Sequence, residues 1–376
     1  QLELEDSASF AQDVTMPLRQ DRTSKSAPHT EAQNSHDVVV TATLICLAFL
    51  AGIAVTLVWF ASVDPASTSR DKKADAGASG AKFFSVIEGA GRTRSFYFPE
   101  RHLLGFIKHR GQTYPAKGKV TLKDFQPFEF EAGKFIALNP QLFERFRADE
   151  VATLDMSFDD SEQGEGADPI ISHLARLTGI TELELQHSKL TDEGLKGIEF
   201  LPNIEKLNVG ETLVTGRALS EIQTLYKVRT LGVDDMKDLK PLLNKLPYMP
   251  DLKSLHISRC ELDSDDVRKI ASAKRLTDLD LAGNPRVGDA DIEMLSTLPL
   301  RALDVQECNI TPASIPSFKK MESLRELELS DNWNDASKRL LMRSLPQVKT
   351  FKFKPLEDEI TQFRRKYSKQ LKHMVE

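Results

Sequence analysis

An internal repeat of 24 residues constrains the fold of this chain more than any other feature of its sequence. Apolar residues recur in one frame, as at Ile180, Leu183, Leu185 and Leu190. The frame begins eight times, each start 24 residues after the last, at Ile180, Ile204, Val228, Leu252, Leu276, Leu300, Leu324 and Val348. A fixed period of this length indicates stacked units of equivalent structure.

One unit is too small to fold alone, because burying its apolar side chains gains less free energy than ordering its backbone loses. The first half of each unit alternates apolar and polar residues, which is typical of a short strand. The second half has apolar residues at helical spacing, as at Leu195, Ile198 and Leu201. The units must therefore stack, with their strands paired in parallel and their helices on the opposite side.

The frame also points to a known family. The unit at Ile180 reads Ile-x-x-Leu-x-Leu-x-x-Ser-x-Leu, with Ser188 at the ninth position. It resembles the LxxLxLxxNxL pattern of leucine-rich repeats over roughly residues 151–353, including an irregular first copy at Val151 that is five residues longer. The resemblance implies an α/β solenoid, a horseshoe with a parallel sheet on its concave face and helices on its convex face. We assign residues 151–356 to it.

Capping residues predict where the helices begin. Ser, Thr and Asp stabilise a helix start because their side-chain oxygens accept bonds from free backbone N–H groups. Residues of this kind precede the helical half of five units, at Thr191, Thr215, Asp263, Thr311 (followed by Pro312) and Asp335.

The ninth position of the frame predicts how each turn is held. The resemblance implies that this side chain points inward and bonds the backbone of the loop. The position is occupied by Ser188, Thr212, Met236, Cys260, Asn284, Cys308 and Asn332. Met236 cannot make such bonds, so its coil should be irregular. Cys260 and Cys308 lie two coils apart, about 10 Å, which predicts free, buried thiols.

The N-terminal part predicts a membrane anchor. Residues 38–63 form an uncharged apolar run between Asp37 and Asp64, which is long enough for a transmembrane helix and too long for a cleaved signal peptide. Residues 1–37 read as a disordered tail or linker, and residues 64–83 as a juxtamembrane tether. We expect the repeats to be extracytoplasmic, although three basic residues before the run and four after it leave the orientation open. The chain opens on Gln1, so a preceding domain also stays open.

Two further segments flank the repeats. Residues 84–150 alternate Phe with polar residues, which predicts a β-rich N-terminal cap with a short helix over residues 140–146, capped by Asn139. Residues 357–376 predict an amphipathic helix that covers the open end of the core. Its basic face leaves a second interpretation open, contact with anionic lipid or a partner.

Charge on the predicted concave face singles out a candidate site. Of the 28 side chains at frame positions three, five, seven and eight, twelve are acidic and two are basic. The candidate binding residues are Glu182, Glu184, Asp278, Asp280, Asp304, Glu326 and Glu328. Such a face could bind a basic protein segment, a polyamine or, weakly, a divalent ion. Alternatively, repeat duplication has copied an acidic residue into a solvent-exposed strand.

The function these features favour is a membrane-anchored binding module. The net charge of −6 argues against nucleic acid as a partner, and the sequence lacks catalytic, zinc and nucleotide motifs, so we expect no enzyme activity, metal or cofactor. The acidic loop at residues 159–165 lacks the spacing of a calcium site. Two alternatives stay open: the architecture resembles the sensory region of bacterial transmembrane serine/threonine kinases, whose catalytic domain would lie upstream, and the chain could serve in envelope adhesion.

Overall fold

The computed structural model describes residues 83–88, 93–157 and 166–355. The predicted tail, apolar run, tether, acidic loop and C-terminal helix lie outside these residues, apart from the last residue of the tether. Within the described ranges, no helix has both the length and the apolar content needed to cross a bilayer.

Fifteen strands form two sheets in the described part of the chain. The strands are β1 (Phe84–Glu88), β2 (Thr93–Tyr97), β3 (Gly105–His109), β4 (Gln112–Pro115), β5 (Lys119–Leu122), β6 (Phe128–Ala132), β7 (Val151–Asp155), β8 (Glu182–Glu184), β9 (Lys206–Asn208), β10 (Thr230–Gly232), β11 (Ser254–His256), β12 (Asp278–Asp280), β13 (Ala302–Asp304), β14 (Glu326–Ser330) and β15 (Thr350–Lys354). Strands β6 to β15 pair in parallel and in chain order.

The register of the parallel strands confirms the repeat frame. Leu183 lies beside Leu207, and Leu279 lies between Leu255 and Leu303. From β8 to β15, residues 24 positions apart are therefore neighbours across the sheet. The pairing of Leu154 with Leu183 adds five residues to this step, which places the predicted excess between β7 and β8.

Short helices return the chain from the end of each strand to the start of the next. The α-helices are α1 (Lys134–Ala137), α2 (Asp168–His173), α3 (Asp192–Leu195), α4 (Gly216–Glu221), α5 (Lys240–Leu243), α6 (Ser264–Ile270), α7 (Asp289–Leu295), α8 (Ile315–Lys320) and α9 (Asp335–Ser344). Helices of the 3-10 type cover Pro140–Arg145, Lys196–Phe200, Gln223–Lys227, Leu246–Tyr248 and Pro312–Ser314.

Four of the five predicted helix caps are confirmed. The side chains of Thr191, Thr215, Asp263 and Thr311 each accept a hydrogen bond from a backbone N–H in the first turn. The fifth prediction is wrong by one residue: Asn334 caps α9, and Asp335 is its first residue.

The core is continuous from the first strand to the last coil. The frame residues Ile180, Leu183, Leu185 and Leu190 are fully buried, as are their counterparts in the following units. In the N-terminal segment an aromatic cluster extends this core, with Phe128 edge-on to Phe96 at a centroid distance of 5.4 Å. The predicted coil interior is therefore a single apolar layer between strands and helices.

The N-terminal segment is β-rich, as its alternation predicted. Strands β1, β2 and β5 form a separate antiparallel sheet, whereas β4, β3 and β6 extend the main sheet beyond β7. The predicted helix is a 3-10 helix, Pro140–Arg145. Its predicted cap is wrong, because the Asn139 side chain donates to the Phe135 carbonyl instead.

The ninth position holds the turns in the way the family resemblance implied. Asn284 is fully buried, donates to the carbonyls of Ile257 and Leu281, and accepts from the N–H groups of Cys260 and Leu262. Each of these four bonds links adjacent coils or closes a turn. A single amide side chain therefore satisfies backbone groups that the core would otherwise leave unpaired.

The two cysteines at this position are free, as predicted. Cys308 is buried and donates to the Leu281 carbonyl, while Cys260 is only half-buried and donates to the Val233 carbonyl. Burial raises the pKa of each thiol to about 12. Both are therefore protonated near neutral pH and poorly reactive.

The last coil departs from the ninth-position prediction. Asn332 is exposed, and the neighbouring Trp333 turns inward, donating from Nε1 to the Ile310 carbonyl at 3.0 Å. Trp333 is 6% exposed. A larger side chain fills the interior where the regular stack ends.

The coil that contains Met236 is irregular, as predicted. Asp235 and Asp238 both have positive φ angles, and α5 begins after Leu239 without a side-chain cap. Met236 itself is buried.

A recurring aspartate, not anticipated from the sequence, links adjacent coils on the helix side. Both carboxylate oxygens of Asp192 accept bonds from Thr215, one from the backbone N–H at 2.7 Å and one from the hydroxyl at 2.9 Å. Asp168 holds Thr191 in the same way, and Asp289 holds Thr311. We call each such pair an Asp–Thr clamp. It ties the helix start of one coil to that of the next.

Replacing Asp192 by Ala should lower the free energy of unfolding by about 1 to 3 kcal/mol, because two donors of Thr215 lose their acceptor. Asp192→Asn should lose less, since its amide can still accept from the Thr215 N–H. Thermal and urea midpoints followed by circular dichroism would measure both. Glu193→Ala, which removes the adjacent exposed carboxylate, should leave the midpoints unchanged. Equal effects of Asp192→Ala and Glu193→Ala would contradict a role for the clamp.

Candidate binding surface on the strand face

The side chains at frame positions three and five point away from the core along one face of the sheet, which we call the strand face. At position five, the register places side by side Glu184, Asn208, Gly232, His256, Asp280, Asp304, Glu328 and Lys352. At position three it places side by side Glu182, Lys206, Thr230, Ser254, Asp278, Ala302, Glu326 and Thr350. Residues far apart in the chain thereby become neighbours.

Five of the seven candidate residues converge in one place. A depression of about 310 Å³ on the strand face is lined by Asp278, Asp280, Asp304, Glu326 and Glu328. His256 and Ser254 also line it. We call this group of five carboxylates the acidic depression.

The other two candidates lie elsewhere. Glu182 and Glu184 are on β8, four strands from β12, which is about 19 Å at the usual strand spacing. Glu184 is paired with Lys206 at 2.7 Å. Next to these strands, Lys108 pairs with both Glu129 and Glu131 at 2.7 and 3.0 Å. This end of the strand face is therefore neutralised by lysines, and the acidic row predicted there is interrupted.

A small side chain creates the depression. Ala302 lies between Asp278 and Glu326 at position three, where a larger residue would fill the space. It stands beside Asp304, two residues along the same strand. The opening is therefore centred on β13, with carboxylates on three sides.

Cations neutralise one end of the acidic row. Lys352 and Lys354 bind the two carboxylate oxygens of Glu328 at 2.6 and 2.9 Å. Burial alone would raise the pKa of Glu328, but the hydrogen bonds from these two lysines hold it below its usual value. Glu328 is thus ionised and already paired.

A histidine faces the other end of the row. The Nδ1 atom of His256 lies 3.9 Å from Oδ2 of Asp280. The carboxylate of Asp280 raises the pKa of His256. Burial opposes ionisation of Asp280, yet interactions with His256 and the Ala282 N–H bring its pKa below the usual range. This end of the row gains a full positive charge as pH falls.

Asp304, at the centre, has no cationic partner within the described residues. It accepts from the backbone N–H and the side-chain amide of Gln306 at 2.9 and 3.1 Å. Burial raises the pKa of Asp304 to about 6, with further contributions from the negative charges of Asp280 and Glu328. The row therefore has partners at both ends and an uncompensated carboxylate in the middle.

Most other carboxylates of the face are also partnered. Glu211 binds Arg259 at 2.6 Å and His187 at 3.0 Å. Asp234 accepts from the Ser258 N–H. The twelve carboxylates predicted for this surface are therefore unequal, and Asp304 stands out by its environment. Across the described ranges, no group of three metal-binding side chains has the geometry of a metal site.

The sequence analysis missed the lysines because it examined seven frames. Lys352 and Lys354 belong to the eighth, which begins at Val348. Their positions were available from the same 24-residue step, since Lys352 follows Glu328 by one period. Extending the frame to the last strand would have shown that the row ends in positive charge.

Comparisons with known proteins concern the repeats. A family model described as Leucine Rich repeat matches residues 178–198 and 275–296. A search of curated proteins found no match.

Solved structures with a similar arrangement include two internalins of Listeria monocytogenes. Internalin C2 is 19% identical, with 55% of this chain and 82% of that chain covered and a TM-score of 0.36. The internalin inlF is 17% identical, with coverages of 61% and 67% and a TM-score of 0.38. A third is the TLR13 chain of a TLR13–ssRNA13 complex, which is 15% identical, with coverages of 57% and 37% and a TM-score of 0.37.

Asp304→Asn should stabilise the fold at neutral pH. The carboxyl has a pKa of about 6 when folded and about 3.8 otherwise, so the folded state binds the extra proton between these values and loses stability as pH rises through 6. We expect the free energy of unfolding to increase by about 1 to 3 kcal/mol near pH 7. The gain should vanish as pH falls towards 4.

Urea midpoints measured across this range would test the expectation. Asp251→Asn, which alters an exposed carboxylate outside the strand face, is the matched control and should shift the midpoint at neither pH. A destabilised Asp304→Asn at neutral pH would show that the ionised carboxylate supports the fold.

Proposed function

We propose that this chain, a leucine-rich-repeat protein by its frame and its two matched segments, is a binding module that recognises a basic protein segment through the acidic depression. The observation that carries the proposal is the charge order along position five. Positive groups flank the row at His256 and Lys352, and Asp304 between them lacks a cation within the described chain.

Electrostatic repulsion gives a ligand something to relieve. Adjacent position-five carboxylates stand about 5 Å apart, and unit charges at that distance repel by about 3 kcal/mol at an effective dielectric constant of 20. A bound cation would remove much of this repulsion at Asp304. The free protein responds instead by raising the pKa of Asp304, which supports an ionised site that favours a positive partner.

The shape of the depression favours a long, thin cationic side chain. The space above Ala302 is narrow, and its floor includes the apolar residues Leu279 and Leu303. The methylene groups of a lysine or arginine would contact these residues while the charged end reached Asp304. Because the flanking carboxylates already have partners, we infer that one cationic side chain enters the depression and that neighbouring residues of its protein contact the adjacent strands.

We also propose that residues 38–63 anchor the chain in a membrane. The uncharged length of this run supports the proposal. An anchor would keep the strand face at one membrane and restrict its partners to proteins that reach that surface.

Asp304→Asn should weaken the binding of a lysine-rich peptide about tenfold, because one unpaired charge at the site is lost. The affinity can be measured by calorimetry at several salt concentrations, with a glutamate-rich peptide of equal length as the ligand control. Asp251→Asn is again the matched protein control. If Asp304→Asn bound the basic peptide as tightly as the unmodified chain, the acidic depression would not be the binding site.

Lys352→Gln combined with Lys354→Gln should have the opposite effect. Removing both lysines leaves the carboxylate of Glu328 without its cations, so the depression gains net negative charge and should bind the same peptide several-fold more tightly. Lys349→Gln, a substitution on the same chain segment outside the row, should leave affinity unchanged. Weaker binding by the double variant would mean that the lysines contact the ligand, which contradicts recognition of a cation.

A further inference from the structure

The small sheet of β1, β2 and β5 has two different faces. Phe96, Val120 and Leu122 point inward and are buried in the core. The opposite side, which we call the outer face, carries Phe84 and Val86 of β1, which are 47% and 40% exposed. These are large apolar side chains on a surface that faces away from the core.

The outer face combines aromatic rings with a lysine in one register row. Phe84 pairs with Tyr97, and Tyr97 pairs with Lys119 across the sheet. The rings of Phe84 and Tyr97 stack at 4.7 Å, and the Lys119 ammonium lies 5.1 Å from the Tyr97 ring. Aromatic side chains beside a lysine are the composition that the boundary between lipid and water favours, because the rings enter the headgroup region and the ammonium stays at its surface.

The edge of the sheet enlarges this apolar surface. Strand β1 is an edge strand, since it pairs only with β2 in the described chain. Ile87, at its rim, is 46% exposed. Lys117 and Lys123, on either side of β5, are also exposed and add positive charge near the sheet. The surface thus offers apolar contact for acyl chains and basic groups for anionic headgroups.

The order of elements along the chain favours lipid as the occupant. The apolar run ends at residue 63, and β1 begins 21 residues later, at Phe84. A flexible connection of that length has a typical end-to-end distance of about 25 Å. A surface held so near a bilayer meets lipid at an effective concentration at which even weak contacts are occupied. The connection itself carries Arg70, Lys72, Lys73 and Lys82.

We propose that the outer face of β1, β2 and β5 rests in the headgroup region of the membrane that holds residues 38–63. This inference depends on the membrane anchor proposed above. Phe84, Val86 and Tyr97 make the apolar contact, and Lys119 faces the phosphates. The small sheet thereby attaches the N-terminal end of the repeats to the bilayer surface.

Quenching of a single tryptophan by brominated lipid tests the contact. The full chain carrying Trp59→Phe, which removes the tryptophan of the apolar run, is reconstituted into vesicles of phosphatidylcholine and phosphatidylserine with brominated acyl chains. Phe84→Trp in this background should lose roughly half of its added emission relative to non-brominated vesicles. Leu340→Trp is the matched control: Leu340 is equally apolar, 56% exposed and located on α9 in the last coil. Its emission should be unchanged.

A second variant and an extraction step separate the possible outcomes. Adding Val86→Glu to Phe84→Trp should abolish the quenching, because a carboxylate in the headgroup region opposes the contact, while the chain stays in the membrane pellet after alkaline carbonate treatment. Resistance to carbonate with an unquenched Phe84→Trp, as would follow if a second copy of the chain covered this face, would overturn the docking and leave the anchor intact. Equal quenching of Phe84→Trp and Leu340→Trp would also overturn it. Release of the chain by carbonate would overturn the anchor and the docking together.

Discussion

Backbone pairing between strands one period apart is the interaction on which the rest of the structure depends. Each three-residue strand is too short to be stable alone, and it persists because both of its edges are occupied by equivalent strands 24 residues away. This pairing fixes the distance between successive coils, and the distance in turn allows Asn284 to bond two coils at once. The buried leucines, the inward polar side chains and the rows on the strand face all follow from the same register.

The same register concentrates charge, and the protein compensates for it unequally. Repeating an acidic residue at position five places like charges side by side, and the structure opposes the repulsion with Lys352 and Lys354 at one end and His256 at the other. Asp304 in the centre is left with hydrogen bonds from Gln306 alone in the described chain. A position that costs stability in the free protein and could be relieved by a partner is what a binding site requires, since optimal stability and function commonly conflict.

The sequence predicted the features that the period determines and missed those that depend on particular neighbours. Strand order, register, four helix caps and the free cysteines follow from the 24-residue frame. The end of the stack does not: Trp333 replaces Asn332 in the interior because no further regular coil needs the space. The Asp–Thr clamps were also missed, since a bond between Asp192 and Thr215 becomes visible only when two coils are aligned on their helix side. For the candidate site, five residues converge as their spacing suggested, whereas Glu182 and Glu184 are separated from them by strands of different composition.

The distribution of the Asp–Thr clamps has a mechanical consequence. They join coils at Thr191, Thr215 and Thr311, but the coil of Met236 begins its helix at Leu239, which has no side chain able to take part. The two ends of the array are thus more firmly fastened on the helix side than its middle. Under tension between a membrane and a bound partner, the coil at Val228 would yield first, and the array would bend there while both ends kept their form.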